Sequence, residues 1–404
     1  MGTIADQDVV DAYQYMLARW LVLRQERRDL EEGFQWNAII HRAPGGVSWA
    51  NPNLDVAYSE AWIAVDESSA TILDLPKIER RYYTFQLLNG WGEVTLNINE
   101  RNFPEHPFGR FALCLQGSNL ELPADALRID LPGRKSRLLM RVELGVDPDA
   151  AIQLQKATTL HATGNPRVPD PVPVDFERFP GGEAFERANE ILDGEPDINP
   201  GTEPLEAKAR AVAAAVRDPA ERARIDRVIQ AQAAPAFLDA IKGMGQSVNG
   251  WVRPRIIGNY GDDWQMRTIA DFTGIWANNA HEVIYFVARD NEGSKTISLT
   301  FPADALPAQK VRYFWSVIAV DSREFKVIAN PLDRFLLNNQ SGLQYESDGS
   351  LTLWFAPEKP EACPERNWLP TPRDGRYNLT FRFYGAAEDV VDGRYFPPAL
   401  VQRP

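Results

Sequence analysis

Apolar residues recur at two different periods along the chain, and the changes of period mark its elements. Near the N-terminus Val9, Tyr13, Leu17 and Trp20 lie three or four residues apart, which predicts an amphipathic helix. We expect this helix to cover a sheet. From about residue 56 to residue 145 apolar and polar residues alternate, which predicts strands. The predicted strands cover residues 56–65, 70–75, 82–88, 94–98, 111–115, 127–131 and 137–144.

A helical pattern returns between about residues 182 and 243, after a proline-rich connector at 165–180. Asp218 precedes Pro219, and Glu221 stands three positions after the aspartate. A carboxylate at the N-cap accepts hydrogen bonds from free backbone N–H groups, and proline is tolerated at the first helical position. The segment therefore predicts a helix start at Asp218, and Pro235 predicts a break or a kink further along.

Strand patterns resume at residues 281–288, 296–301, 313–320, 351–355 and 377–384. The fold class predicted is mainly β with a helical insert, with two antiparallel jelly-roll-like β-sandwich modules. We expect an N-terminal helix in residues 1–40, a first β-sandwich module in 41–175, a helical insert in 176–250 and a second module in 251–404. No repeat of residue identities relates the two β regions, so the sequence leaves duplication unproven.

The composition of the chain limits the kinds of molecule that we expect it to bind. The 404 residues carry a net charge of -13, and a surface this acidic repels phosphate backbones, so we expect no nucleic-acid partner. The apolar runs have strand length, which predicts no membrane span. The first six residues lack the features of a secretory signal, and the two cysteines form no disulfide framework, which together favour the cytoplasm. The expected partner is a small-molecule substrate, and homo-oligomerisation stays open.

Standard catalytic motifs are missing. The four histidines lie far apart in sequence, without an HxH or HExxH pattern, and there is no GxSxG elbow. We therefore predict no metal site and no cofactor.

The first group of candidate functional residues is Asn53-Leu54-Asp55-Val56-Ala57-Tyr58, where a loop becomes a strand. Asp55 lies at the mouth of the strand, where a carboxylate is placed to orient a ligand or abstract a proton. Tyr58 is the expected proton donor or orienting group, and Asn53 a substrate contact. The alternative is that Asn53 and Asp55 only shape the turn.

A second group lies between Tyr260 and Trp276. Arg267 is a candidate clamp for a carboxylate or a phosphate, because its planar guanidinium binds two oxygens at once. Tyr260 is a candidate substrate contact beside it. The alternative for Arg267 is a salt bridge with Asp263 or Asp271.

A third group combines Trp315, Asn330, Arg334 and Trp368 near predicted strand ends. Tryptophan and arginine on loops are typical of sugar or aromatic recognition, in which a ring face packs on CH groups or on another ring. Each residue also has a structural alternative, since tryptophans fill sandwich cores and asparagines cap backbone groups.

Several local motifs give the chain a resemblance to bacterial proteins that pair the domains of unknown function numbered 1254 and 1214. For the first domain the motifs are Asn53–Tyr58 and Arg81-Tyr82-Tyr83. For the second they are Phe314–Ser316, Asn330–Arg334, Asp348–Ser350, Asn367–Pro370 and Asp392–Pro398. Leu54 and Val56 replace an arginine and a threonine of the first domain's pattern. The resemblance implies two jelly-roll-like β modules joined by a helical insert. It implies no particular reaction.

These observations predict a cofactor-independent enzyme that acts on a small organic substrate, such as a sugar or an aromatic metabolite, in a cleft between the β modules. Acid–base chemistry would make it a lyase, an isomerase or a hydrolase. Asp55, Tyr58 and Arg267 are its expected catalytic residues, and Arg334 is a second anion anchor. The alternative is a non-catalytic protein that binds a glycan or another small ligand.

Overall fold

The computed structural model describes residues 4–45, 51–174, 176–177 and 179–403. Residues 1–3 of the expected N-terminal segment, residue 175 at the end of the expected first module and residue 404 lie outside the described residues. Within the described part the chain is mainly β, with helices at its start and between two β regions. In these ranges no helix combines the length and the apolar character needed to span a membrane.

Helices occupy the start of the chain and the segment between the β regions, and three more lie inside the β regions. They are α1 (Asp6–Glu32), α2 (Pro148–Ala157), α3 (Ala188–Gly194), α4 (Glu203–Ala215), α5 (Pro219–Val228), α6 (Ala234–Lys242), α7 (Trp264–Gly274) and α8 (Glu388–Val391). Single helical turns of other types lie at Gly182–Arg187, Ile229–Ala233, Pro307–Lys310 and Glu365–Asn367.

The predicted helix start at Asp218 is confirmed. Its carboxylate accepts hydrogen bonds from the backbone N–H groups of Ala220 and Glu221, and Pro219 is the first residue of α5. Pro235 falls near the start of α6, directly after the π-helical turn that ends at Ala233. A π turn accommodates a proline because it relaxes the hydrogen-bond ladder that the missing N–H interrupts.

Helix α1 is buried on most of its circumference rather than on one face. It packs mainly against α4 and α7 and shares an apolar core with the helical segments. Its Val22 also clusters with Trp62, Leu88 and Leu139, which belong to one β-sheet, so α1 covers a sheet as the sequence predicted. Arg19 lies off the apolar stripe in sequence, yet it is buried and donates a hydrogen bond of 2.9 Å to the carbonyl of Gly90. The helical segments therefore form a layer of their own, to which the N-terminal helix belongs.

The first β region contains two sheets around one core. Its strands are β1 (Ile40–His41), β2 (Val56–Ala64), β3 (Thr71–Leu75), β4 (Tyr83–Leu88), β5 (Val94–Ile98), β6 (Gly109–Leu115), β7 (Ala126–Leu131), β8 (Lys135–Glu143) and β9 (Thr159–Ala162). One sheet has the order β1-β2-β8-β4-β5 and the other β7-β6-β3-β9. Apolar side chains from both sheets fill the space between them.

The second β region repeats this plan. Its strands are β10 (Gly245–Val248), β11 (Trp251–Pro254), β12 (Val283–Glu292), β13 (Thr296–Phe301), β14 (Trp315–Asp321), β15 (Leu336–Asn338), β16 (Leu351–Ala356), β17 (Trp368–Pro370), β18 (Arg376–Tyr384) and β19 (Val401–Arg403). The two sheets have the orders β10-β11-β12-β18-β14-β15 and β17-β16-β13-β19.

Strand by strand, the two regions have the same topology. If ten is added to each strand number of the first region, both sheet orders of the second region follow, with β10 as one extra edge strand. Among the described residues, each region also has one parallel pair of strands at the same place, β6 with β7 and β16 with β17. A short helix follows β8 and β18 alike, as α2 and α8. The repeat that residue identities left unproven is therefore present in the topology.

The register of the central strands is shared as well. Val56 faces Glu143 across β2 and β8, and Val283 faces Tyr384 across β12 and β18. The strand order and this register assign each residue of one central sheet an equivalent position in the other. We refer to the first β region as the first module and to the second as the second module.

Candidate functional site at the junction of the modules

Two matching rows of side chains lie on the outward faces of the central sheets. In the first module Tyr58 and Thr84 flank Arg141 across three neighbouring strands. In the second module Tyr285 and Ser316 flank Arg382 in the same way.

Each arginine lies over the tyrosine of its own row. The guanidinium carbon of Arg141 is 5.4 Å from the ring centre of Tyr58, and that of Arg382 is 5.8 Å from the ring centre of Tyr285. Both arginines are buried, whereas both tyrosine rings are partly exposed. A cation over a ring face is stabilised by the ring quadrupole, and more strongly when water is excluded.

Contacts between the modules bring the two rows together. Val56 and Tyr82 of the first module share an apolar cluster with Val283, Phe314 and Tyr384 of the second. The rings of Phe314 and Tyr384 stack at 4.2 Å, and the ring of Tyr82 meets that of Tyr384 edge-on at 5.1 Å. We call this region, with its two rows and the polar groups beside them, the junction.

Asp55 is the buried carboxyl group on one side of the junction. It directly precedes β2 and is 5% exposed, and its Oδ1 accepts a hydrogen bond of 3.0 Å from the amide of Asn338. Its Oδ2 is buried without a hydrogen-bond partner among the described residues. Burial raises the pKa of Asp55, and the nearby Ser316, Asn338 and Arg382 oppose this rise only in part. The predicted Asn53 lies beside it and donates a hydrogen bond to the hydroxyl of Tyr384.

Glu282 is the buried carboxylate on the other side. It directly precedes β12, as Asp55 precedes β2. Its Oε1 accepts a hydrogen bond of 2.9 Å from the amide of Asn99. Its Oε2 accepts one of 2.9 Å from the hydroxyl of Tyr82 and pairs with Arg101 at 2.5 Å. This carboxylate is therefore fully paired.

Three tyrosines of the junction have raised pKa values. Burial raises the pKa of Tyr82, Tyr285 and Tyr384 above that of a free phenol, and neighbouring arginines offset this only in part. At neutral pH their hydroxyl groups are therefore able to donate hydrogen bonds.

The two buried arginines differ in their partners. Arg141 donates a hydrogen bond to the side-chain oxygen of Gln86. Arg382 donates one of 3.0 Å from Nη2 to the backbone oxygen of Asn51, while its Nε and Nη1 are buried without a partner in the described part of the chain. Two nitrogen atoms of the Arg382 guanidinium are therefore left for other acceptors.

Three residues of the predicted aromatic group, Asn330, Arg334 and Trp368, lie close together. Asn330 donates a hydrogen bond of 2.9 Å to the carbonyl of Arg334, and the guanidinium of Arg334 donates to the carbonyls of Glu365 and Trp368 at 2.6 and 3.1 Å. A surface groove of about 560 Å³ is lined by Arg334 and by Leu54, the residue before Asp55. Arg334 therefore lines a groove beside Asp55, while its Nη1 and Nη2 atoms donate to Glu365 and Trp368.

Trp315 lies elsewhere. Its side chain is buried in the core of the second module, where its ring meets that of Phe381 at 5.4 Å. Strand alternation places Ser316, not Trp315, on the face toward the junction. The structure therefore does not bring Trp315 to Asp55, and its surroundings match the structural alternative of a core tryptophan.

Arg267 and Tyr260 belong to a different buried cluster, beside the helical layer. Arg267 is fully buried and pairs with Asp197 at 2.9 Å and with Glu93 at 3.3 Å. The sequence named Asp263 or Asp271 as the salt-bridge partner instead, because Asp197 and Glu93 lie on segments remote in sequence. Tyr260 is buried in the helical core. Neither residue is near the contacts that form the junction.

Asp271 in that cluster has a strongly raised pKa, since it is fully buried and the charge of Arg267 compensates only in part. Gly92, at φ +78, lies against it, and a Cβ there would approach the Asp271 carboxylate to 2.1 Å. This tight packing leaves no space for a ligand beside Gly92.

Sequence reasoning missed Arg141, Tyr285, Arg382 and Tyr384. One signal was present: Val56-Ala57-Tyr58 and Val283-Ile284-Tyr285 share a Val-x-Tyr pattern at equivalent strand starts. Arginine also stands at the same distance from the end of β8 and of β18. Such short matches become meaningful only when the topology aligns the strands.

Among the described residues, no group of three or more histidine, cysteine, aspartate or glutamate side chains is arranged to hold a metal ion.

Comparisons with known proteins match both modules. The family described as "Protein of unknown function (DUF1254)" matches residues 36–162, and the family described as "Protein of unknown function (DUF1214)" matches residues 283–388. No curated protein matches the chain.

One solved structure has the same fold over nearly the whole chain. The VPA0106 protein from Vibrio parahaemolyticus is 18% identical, with a TM-score of 0.73 over 99% of this chain and 100% of that one. An uncharacterised protein from Burkholderia cenocepacia is 13% identical, with a TM-score of 0.47 over 98% of this chain and 94% of the other.

Proposed function

Since this chain belongs to the proteins that pair the domains of unknown function 1254 and 1214, we propose its function from the junction where its two modules meet. The proposed function is acid–base catalysis, without an organic cofactor, on a small organic molecule bound at the junction. The reaction would be that of a lyase, an isomerase or a hydrolase. In the same proposal the modules are jelly-roll-like, as the sequence predicts.

The observation that carries the proposal is that Asp55 is buried, has a raised pKa and has one oxygen without a partner among the described residues. A carboxyl group with a raised pKa exchanges its proton nearer to neutral pH, which is the property of a general acid or base. Its unpaired Oδ2 is available to a substrate atom, whereas every oxygen of the equivalent Glu282 is occupied.

The neighbouring groups have roles that suit this chemistry. Arg382 has two unpartnered nitrogen atoms that can donate to an anionic group of the substrate, which is the role that the sequence assigned to Arg267. Tyr58 is partly exposed, so its hydroxyl is placed to orient the substrate at the entrance. Arg334 lines the adjoining groove and is placed to attract an anion toward it.

The test is a search for proton transfer. The full-length protein is incubated in D2O with a panel of sugars, hydroxy acids and aromatic acids, and NMR follows deuterium incorporation and new products. We expect turnover of at least one compound, and a loss of about 100-fold or more in Asp55→Asn, in line with the usual contribution of a general acid or base. Asp271→Asn is the matched control, because it also neutralises a buried aspartate but lies outside the junction.

Wild-type activity that persists in Asp55→Asn would contradict the role of Asp55. The second candidate function, ligand binding without turnover, is favoured by the partly exposed rings of Tyr58 and Tyr285 over buried arginines, a surface typical of recognition. It predicts that a panel compound binds and is recovered chemically unchanged, without deuterium.

A further inference from the structure

The junction consists of two equivalent halves that exchange partners between the modules. Asp55 of the first module accepts a hydrogen bond from Asn338 of the second, and Glu282 of the second accepts one from Asn99 of the first. Asn338 faces Ser316, which in turn faces Arg382. The two contacts are thus related by an approximate twofold axis between the modules. We call them the Asp55 half and the Glu282 half.

Equivalent positions in the two halves follow from the shared register. Thr84 and Ser316 both face an arginine and are therefore equivalent. Tyr82 and Phe314, two residues earlier in these strands, are also equivalent. The same holds for Gln86 and Ile318, two residues later.

The loops after Asn99 and Asn338 are equivalent too. The backbone N–H groups of Arg101 and Gln340 each donate a hydrogen bond of 3.0 Å to the side-chain oxygen of the asparagine two residues before. Arg101 and Gln340 are therefore counterparts.

In the Glu282 half these positions complete the polar network. Tyr82 and Arg101 both donate to the carboxylate of Glu282, and Gln86 accepts from Arg141. The carboxylate and the arginine both have side-chain partners from the protein.

In the Asp55 half the three positions hold different residues. Phe314 has no hydroxyl, Ile318 has no acceptor, and Gln340 donates to Glu143 instead of to Asp55. Oδ2 of Asp55 and the Nε and Nη1 atoms of Arg382 are left buried without partners among the described residues, and so is the hydroxyl of Ser316 beside Asp55. In the described part of the Glu282 half, Nε of Arg101 is unpartnered, but both carboxylate oxygens are paired. Buried polar atoms of proteins are almost always paired, and unpaired ones call for an explanation.

We propose that the Asp55 half is a binding site for a small hydroxycarboxylate. The ligand's carboxylate accepts a charge-assisted hydrogen bond from Nη1 of Arg382, because Nη2 already donates to the carbonyl of Asn51 and Nε–H points away from Nη1. Its hydroxyl donates to Oδ2 of Asp55, as the hydroxyl of Tyr82 donates to Glu282 in the other half. The ligand thus replaces the protein groups that the Glu282 half supplies for itself.

The size and polarity of the ligand follow from its neighbours. Asp55 and Arg382 are 5% and 2% exposed, and the stacked rings of Phe314 and Tyr384 lie beside them, so access is restricted, which excludes a polymer. A ligand with a hydroxyl but no carboxylate would leave Arg382 unpaired, and one with a carboxylate alone would leave Asp55 unpaired. Since each unpaired buried group carries a free-energy penalty, the site selects for both groups together.

The proposal rests on the junction being the functional site, and binding tests it without requiring turnover. Isothermal titration calorimetry with the full-length protein compares lactate with propionate, which lacks the hydroxyl, and with propane-1,2-diol, which lacks the carboxylate. We expect lactate to bind at least about tenfold more tightly than either, because each control leaves one buried group unpaired.

Variants that restore the missing partners test the same idea from the protein side. Phe314→Tyr supplies the hydroxyl and Ile318→Gln supplies the acceptor, and each is expected to weaken lactate binding at least about tenfold. Tyr82→Phe is the matched control in the Glu282 half and is expected to leave the affinity for lactate unchanged. If Phe314→Tyr fails to fold, Ile318→Gln decides the question.

The outcomes separate this inference from the proposed catalysis. Absence of lactate binding, equal binding of the three probes, or full affinity in Phe314→Tyr and Ile318→Gln would overturn the inference, even if another compound is turned over. Selective lactate binding in a protein that turns over no compound of the panel would support the inference and contradict catalysis.

Discussion

The Asp55 half and the Glu282 half of the junction share their backbone positions but differ in how their buried charges are paired. Glu282 has a tyrosine hydroxyl, an amide and a guanidinium as partners. Asp55 has the amide of Asn338 and the hydroxyl of Ser316 beside it, and its pKa is raised by burial. Because the same topology produced both halves, the unpaired groups follow from side chains at a few positions and not from the fold. The polar groups of the Glu282 half therefore stabilise the fold, whereas the Asp55 half keeps polar groups that are free to bind a ligand.

Removing each carboxylate is expected to give the largest difference between the halves. Glu282→Ala leaves Arg101 without its buried partner, so we expect a loss of about 3–5 kcal/mol in the free energy of unfolding. Asp55→Ala removes a carboxyl group that has no such ion pair, and we expect a loss of about 1–3 kcal/mol. Urea denaturation followed by tryptophan fluorescence measures both. Equal losses would show that the halves are energetically alike.

The pH dependence of stability gives an intermediate effect. The pKa of Asp55 is raised in the folded state, so its stabilising contribution is fully present below the pKa of the unfolded chain, about 4, and is lost as the pH rises through the folded value. Within that window the free energy of unfolding falls by up to about 1.4 kcal/mol per pH unit for this group. Asp55→Asn removes this contribution.

Urea titrations of wild type and Asp55→Asn between pH 4 and pH 8 measure the difference, and the variant is expected to have the flatter curve. Asp271→Asn is a positive control, because burial raises the pKa of Asp271 as well and its removal should also flatten the curve. Parallel curves for wild type and Asp55→Asn would contradict a raised pKa at the junction.

The hydroxyl group that distinguishes Tyr82 from Phe314 gives the smallest effect. Tyr82→Phe leaves one oxygen of Glu282 with Arg101 alone, and we expect a loss of about 1 kcal/mol. Phe314→Tyr adds a donor beside Asp55 and is expected to stabilise the protein by up to about 1 kcal/mol in the absence of ligand. Thermal and urea unfolding of both variants measure the pair. Destabilisation by Phe314→Tyr would mean that its hydroxyl does not reach Asp55.

The local sequence pattern was enough to predict some features of the structure but not others. The start of α5 at Asp218 and the strand β14 depend on neighbours within a few residues, and both are present as the sequence predicts. The burial of Arg19 in α1 depends on the carbonyl of Gly90, which is 71 residues away in the chain. The salt-bridge partners of Arg267 are likewise remote in sequence, so pattern reasoning chose the nearer aspartates.

The sequence alone determined that the chain is mainly β with a helical insert, and its motifs identified both domains. It also singled out Asn53, Asp55 and Tyr58 because a loop meets a strand there. Only the tertiary structure shows that these residues lie beside Asn338, Tyr384 and Arg382. It also shows that Trp315 and Arg267 lie in separate buried surroundings. The physical reason is that strand order and register, which arise from pairings between distant segments, decide which of two alternating faces meets a partner.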